Sequence, residues 1–238
     1  MSTRYGRTPG GYVWAVLEPL GAILILSIGF SLLLRSPSLG NSFILFYASG
    51  YLVLSLYQQV SLTVARSLFF SRSLLKYPSV TWCDAILARF LLNTLTNVMV
   101  CFVLLSAIIL LIDTRIFFDV VPMVVAMSLS ALLGLGVGTL NCVIFGLFPA
   151  WENFWNIATR PLFLASGIFY IYEDLPTLAQ DILWWNPLMH LTGLMRTGLY
   201  VTYRPDYLSI TYVLVFSMVP LTLGLLFLRR YHTDILNR

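Results

Sequence analysis

Apolar residues gather into six long stretches, at about 13–34, 42–64, 86–112, 120–148, 154–172 and 208–228, with short polar breaks between them. A helix needs roughly 20 mainly apolar residues to cross a hydrocarbon layer of about 30 Å, so each stretch reads as a transmembrane helix. The breaks carry boundary residues: Pro37 and Gly40 in 35–41, Pro78 in 66–84, and Asp113 and Asp119 at the ends of 113–119. Pro149, Glu152 and Asn153 part the fourth stretch from the fifth. Arg4 and Arg7 precede the first run as in a signal peptide, but the run is too long for one and lacks a small-x-small cleavage site. The expectation is an all-α membrane protein: six transmembrane helices in a single domain over residues 1–238.

Two local signals refine the helices. Thr81-Trp82-Cys83-Asp84 opens the third with the form of a capping box, in which the Thr hydroxyl and the Asp carboxylate satisfy free N–H groups. Gly134, Gly136 and Gly138 lie inside the fourth. They cannot form a phosphate loop, which needs a Lys after a Gly, because the single lysine, Lys76, follows Leu75. Small residues at four-residue spacing let a second helix approach closely.

The longest connection, 173–206, does not read as plain loop. Residues 175–185 are mostly apolar and end in Trp184-Trp185-Asn186-Pro187, and 188–200 form a second helix-like stretch with His190 and Arg196. Each is too short to span, and paired tryptophans favour the headgroup level. The expected geometry is a re-entrant helical hairpin over about 175–200, dipping into the outer leaflet, with a flat interfacial hairpin as the competing arrangement. Irregular backbone at that depth persists only where protein buries it or it lines a water-filled cavity, so a re-entrant hairpin points to a pathway.

Composition narrows the class. Of 238 residues 59% are hydrophobic and only 10% charged, against about 25% charged in soluble domains. Neither a soluble globule nor a disordered chain fits. The net charge of +4 is too small and scattered for nucleic acid, but its distribution sets orientation. With a cytoplasmic N-terminus, Arg4, Arg7, Arg66, Arg72, Lys76, Arg89, Arg160, Arg229, Arg230 and Arg238 fall inside, and only Arg35, Arg115, Arg196 and Arg204 fall outside. That bias places both termini in the cytoplasm. Cys83, Cys101 and Cys142 are widely spaced, and His190 and His232 have no nearby ligand partner, so no metal site is expected.

No Asp, Glu, Lys, Arg or His occurs within 20–34, 42–64, 91–112, 120–148 or 208–228. Glu18 and Arg89 stand only at the starts of two spans. Coupling to an ion gradient requires a titratable or ligating group inside the membrane, and the chain has no nucleotide motif, so work must come from a partner. Intramembrane hydrolysis lacks its Ser/His, paired-Asp or metal constellation, and no catalytic residue is assigned. The inner loops are where a partner would push: 66–84, with Phe69, Phe70 and Tyr77, and 149–160, with Trp151, Glu152 and Trp155. Anchoring at the membrane surface is the competing role for both.

The chain resembles the ABC-2-type polysaccharide-export permeases, the membrane subunits of capsule and O-antigen exporters. The likeness starts at Thr3-Arg4-Tyr5-Gly6-Arg7, Gly11-Tyr12-Val13-Trp14-Ala15 and Leu17-Glu18-Pro19. It continues through Tyr77-Pro78-Ser79-Val80, Asp84, Ala88-Arg89 and Phe148-Pro149, then Arg160-Pro161-Leu162 and Ser166-Gly167-Ile168-Phe169. Leu175-Pro176, Asn186-Pro187-Leu188, His190 and Arg196 complete it. The likeness covers nearly the whole chain and is strongest to the Kps-type capsular branch. Family members carry an amphipathic helix ahead of the Arg-x-Gly stretch, within which this chain almost begins. Lys76 stands where an aromatic residue is expected.

The resemblance implies a homodimeric permease in the bacterial inner membrane, moving a lipid-linked polysaccharide with a cytoplasmic ATP-binding subunit that holds the ATP and Mg. Periplasmic and outer-membrane export proteins are possible further partners. It implies that the loop holding Tyr77, Pro78 and Asp84 lies on the ATPase side, and Lys76, Tyr77, Pro78, Asp84, Arg89, Glu152 and Arg160 are the candidates for coupling. It implies an aromatic sugar path and a gating hairpin at the outer mouth, for which Tyr170, Tyr172, Trp184, Trp185, Asn186, His190 and Arg196 are the candidates, with Arg4, Tyr5, Trp14 and Glu18 as candidates for an interface near the first span. An ABC-2 permease for a lipid or drug would use the same spans. A membrane-embedded glycolipid enzyme and a scaffold are the other classes considered.

Overall fold

The computed structural model describes residues 13–77, 79–112 and 118–237, and all regular structure among them is helical. In order the helices are α1 (Val13–Leu33), α2 (Phe43–Ala65), α3 (Ser67–Phe70), α4 (Trp82–Leu111), α5 (Val120–Leu147), α6 (Ala150–Ala158), α7 (Leu162–Ala165), α8 (Thr177–Leu183), α9 (Pro187–Leu199) and α10 (Ile210–Asn237). Single 3₁₀ turns lie at Leu74–Lys76 and Tyr172–Asp174. Five helices, α1, α2, α4, α5 and α10, are long and apolar enough to cross a membrane.

Their starts follow from local chemistry. Ser42 accepts the Leu45 N–H and Asp119 accepts the Val121 N–H, each satisfying a donor that the first turn leaves free. At α4 the capping box is complete: Thr81 N–H donates to Asp84 Oδ2 at 2.8 Å and Asp84 N–H to Thr81 Oγ1 at 3.3 Å. This helix therefore begins at Trp82 rather than near 86. The last helix continues to Asn237, past Arg229 and Arg230, where apolar periodicity gives no signal.

α2 is the centre of the packing, with 72% of its apolar window buried against 17% for α1 and α10. α5 lies between α2 and α10, and glycines set both contacts. A Cβ on Gly138 would sit 2.7 Å from Ser61 O of α2, and one on Gly224 of α10 would sit 2.7 Å from Leu140 N of α5. Gly136 meets the Ser217 carbonyl of α10. Small residues thus bring three backbones together, with Ser130 Oγ donating to Val53 O at 2.9 Å.

The α5–α10 contacts climb together along both helices, Gly136 with Ser217, Leu140 with Gly224 and Gly146 with Ile235, so the two run parallel. The chain leaves α5 at one end and starts α10 at the other, and residues 148–209 must return that length. They do so along α2. Glu152 pairs with Arg66 at the end of α2, Ile168 packs on Gly50, and the Phe169 ring lies 6.2 Å from Tyr47 and 5.1 Å from Phe30.

The stretch expected as one helix over 154–172 is instead two short helices, α6 and α7, followed by irregular chain. Pro161 lacks an N–H and crowds the preceding turn, which ends α6. Gly167 then adopts φ 73°, a left-handed turn that favours glycine.

Candidate functional site

The segment where the sequence predicts a hairpin holds two helices, α8 and α9, joined by residues 184–186. Asn186 caps α9, its Oδ1 accepting the Leu188 N–H at 3.1 Å, and Pro187 takes the first helical position where no donor is needed. α9 is buried almost throughout, whereas α8 is not buried anywhere and exposes Leu178 and Ile182, with Trp185 just beyond it. Positions 178, 182 and 185 share one helical face, so α8 turns an apolar stripe outward.

α9 also holds the irregular segment after α7. Asn186 Nδ2 donates to Ala165 O at 2.8 Å, Thr192 Oγ1 to Ser166 O at 2.8 Å, and Arg196 through its two terminal nitrogens to Ile168 O at 3.1 Å and Tyr170 O at 2.8 Å. The last carbonyl of α7 and three in the irregular chain after it thereby gain donors from α9 and its cap. Unpaired backbone groups cost several kcal/mol each in hydrocarbon. The Arg196 guanidinium also lies 4.1 Å over the Phe46 ring.

Arg196 is 1% exposed and His190 2%. Both are internal ties in this structure: the two terminal nitrogens of Arg196 and both ring nitrogens of His190 bond to backbone, while Arg196 Nε has no partner among the described residues. The Ser209 N–H donates to His190 Nδ1 at 3.3 Å, so Nε2 is the protonated nitrogen facing Trp184 O at 2.8 Å. That pair of bonds suits the neutral imidazole, which has one donor and one acceptor. Burial lowers the His190 pKa in the same sense.

Aromatic residues clasp the connection between α8 and α9. Trp184 packs on Trp185, His190 and Tyr212, and Tyr212 OH donates to Trp185 O at 2.7 Å. Tyr172 stacks on Tyr207 with ring centroids 4.1 Å apart, and Tyr203 OH donates to Glu173 Oε2 at 3.1 Å. Burial pushes the Tyr207 phenol up to about 12 and raises that of Tyr203. Tyr170 OH donates to Leu164 O at 2.7 Å. Of the aromatic path candidates, Trp185 is the most exposed, at 67%.

At the opposite end, Arg66 Nε donates to Glu152 Oε1 at 2.8 Å, tying α2 to α6. The two side chains are 52% and 32% exposed. Arg89 lies 3.5 Å over the Phe70 ring of α3. Lys76, Tyr77, Asp84 and Arg160 are exposed, and Asp84 is engaged in its capping box. These residues share one end of the molecule without forming one cluster. Trp14 and Glu18 are exposed near the start of α1; Arg4, Tyr5 and Pro78 lie outside the described residues. Among the described residues no three His, Cys, Asp or Glu side chains converge as metal ligands would.

Sequence reasoning missed Thr192, the second tie from α9. The available signal was the recurrence of polar residues, Asn186, His190, Thr192 and Arg196, in a mostly apolar stretch.

Residues 1–200 match the family model described as ABC-2 type transporter. The chain is 31% identical over 228 residues to the polysialic acid transport protein KpsM of Escherichia coli, covering 94% of this chain and 86% of that one. It is 28% identical to the capsule polysaccharide export inner-membrane protein BexB of Haemophilus influenzae, covering 96% and 86%. With the inner-membrane protein CtrC of Neisseria meningitidis, also of capsule polysaccharide export, identity is 25% at the same coverage. A long-helix membrane bundle, matched by this family model over most of its length, belongs to the ABC-2 type transporter family.

Proposed function

We propose that the chain is the membrane-spanning permease subunit of an ABC transporter that exports a lipid-linked capsular or related polysaccharide across the bacterial inner membrane. The observation that carries this reading is similarity along 94–96% of the chain to KpsM, BexB and CtrC, whose names describe polysialic acid transport and capsule polysaccharide export. The uncharged interiors of the long helices support it from a second direction, because a permease without ionisable groups at depth needs an external source of work.

In this reading ATP and Mg are held by a separate cytoplasmic subunit, and this chain performs no bond chemistry. It acts as a homodimer, with both termini cytoplasmic and the Arg66 end facing the ATPase. The segment α6–α7 and the chain to Tyr172 form the crossing that completes six, supported by its path along α2 from Arg66 to Tyr47. The hairpin α8–α9 is re-entrant from the outer side. Exposed Lys76, Tyr77, Asp84 and Arg160, with Pro78, Arg89 and the Arg66–Glu152 tie, form the surface through which the ATPase drives movement. Trp14 and Glu18, with Arg4 and Tyr5, contribute to an interface at the first span. Tyr170, Tyr172, Trp184, Trp185 and Asn186 border the outer mouth, and periplasmic and outer-membrane proteins receive the polymer.

Removing the gene in a polymer-producing host tests the reading. Polymer is expected to accumulate in the cytoplasm and disappear from the surface, and an ATP-binding subunit is expected to co-purify with the restored chain. Normal surface polymer without the gene would refute it.

A further inference from the structure

Between α2, α5 and α6 lies a cavity of about 180 Å³, lined by Tyr57, Gln58, Ser61, Asn141, Trp155 and Thr159 together with Asn156 at its rim and a few apolar neighbours. It occupies the last two turns of α2, beside the Arg66–Glu152 tie and far from the hairpin at the other end of the molecule. Ser61 and Asn141 are 5% and 3% exposed.

The polar groups here have spare capacity. Trp151 Nε1 donates to Asn141 Oδ1 at 3.2 Å, leaving the Asn141 NH₂ with no partner among the described residues. Tyr57 OH, Ser61 Oγ and the amides of Gln58 and Asn156 likewise make no side-chain hydrogen bond to a described residue. Tyr57, Ser61 and Asn141 are buried residues whereas Gln58 and Asn156 are exposed, so the space presents free donors and acceptors to whatever enters it from the surface.

The lining selects its chemistry. No Asp, Glu, Lys, Arg or His lines the cavity, which leaves phosphate, carboxylate and metal ions without a counter-charge. An acyl chain would leave the amides and hydroxyls unsatisfied. Hydroxyls and amides offer both donors and acceptors, and the Trp155 indole offers an apolar face. That combination fits a sugar ring, with hydroxyls at its edge and C–H groups on its faces.

We infer that this cavity is a binding subsite for one uncharged pyranose face of the exported polymer, with Ser61, Asn141, Gln58 and Asn156 hydrogen-bonding ring hydroxyls and Trp155 stacking on the ring. The inference rests on the polymer-export reading and adds to it a separate site near the Arg66 end. Because recognition uses hydroxyls and not charge, the same subsite accepts a neutral or an acidic chain through its uncharged edge.

The test uses the assembled exporter in a polymer-producing host, with the gene removed and variants supplied in its place. Ser61→Phe fills the cavity and is expected to lower surface polymer about tenfold, the effect of losing roughly one anchoring contact, with membrane level and ATPase co-purification unchanged. Asn156→Leu, at an exposed position that packing does not constrain, is expected to lower it about threefold by the same arithmetic. Wild-type export from both variants overturns the subsite, and if Ser61→Phe fails to reach the membrane, Asn156→Leu alone decides. If removing the gene itself leaves surface polymer unchanged, the export reading fails and takes the subsite with it. The chemistry is read with maltohexaose on the purified exporter, following Trp155 emission as wild type minus Trp155→Phe. The midpoint is expected to move less than about twofold between roughly 0.1 and 1 M salt, a range over which charge interactions are screened. A steep salt dependence, or no Trp155-dependent signal, overturns the assignment of an uncharged ring.

Discussion

In α9, 11 of 13 residues are buried, while in α8 none of 7 is, although a loop of three residues joins them. Their sequences look alike in polarity, and the difference lies in where the polar atoms find partners. Thr192 and Arg196 of α9, with its cap Asn186, face carbonyls that α7 and the turn at Gly167 leave open. α8 donates only to its own entry, Gln180 Nε2 to Leu175 O, and presents Leu178 and Ile182 outward, with Trp185 just beyond it. α9 is therefore a strut fixed to the bundle, and α8 is a surface free to meet lipid, polymer or a second chain.

Arg196→Met should break the strut most severely. Each buried carbonyl left without a donor costs about 1–3 kcal/mol, and Ile168 and Tyr170 each lose one. Thermal unfolding in detergent is expected to show a much less stable chain. Arg196→Lys should recover only part, because an ammonium lacks the planar fork that reaches both carbonyls.

Asn186→Ala comes next. It removes the cap of α9, worth about 1 kcal/mol, together with the bond to Ala165 O. The same unfolding assay reads it.

Acidification should loosen the hairpin in a milder way. Burial holds the His190 pKa below its ordinary value, so the folded state favours the neutral ring. The stabilisation is complete above about pH 6.5, the ordinary His value, and is lost as pH falls through the lower folded value. His190→Gln should flatten that dependence, measured as unfolding temperature against pH.

Trp185→Ala and Leu178→Ser should change stability by less than about 0.5 kcal/mol, as exposed substitutions do, yet reduce polymer at the cell surface. Loss of stability from either variant would erase the distinction between the two helices.

Much of this fold is legible in the sequence. The five long helices follow from apolar length, the start of α4 from Thr81 and Asp84, and a close helix approach to α5 from Gly134, Gly136 and Gly138, though not which helices make it. The two helices of the hairpin also follow, from Trp184-Trp185-Asn186-Pro187. The interruption of the fifth stretch does not, since hydropathy averages over Pro161 and Gly167 and reports environment, not continuity. The role of Arg196 is hidden for a related reason. A cation in a short helix reads as exposed until the carbonyls that surround it are placed, and those lie 26 and 28 residues earlier. The cavity residues Gln58, Ser61, Asn141 and Thr159 sit on three separated elements, and no spacing in the chain joins them.

Reconstitution in sealed vesicles tests the central claim most directly. The purified chain would be assayed for polymer movement with and without its ATP-binding subunit, in the presence of ATP and Mg. Polymer should enter the lumen only when both subunits and ATP are present, and the chain alone should move none. Uphill movement by the chain alone would contradict the account.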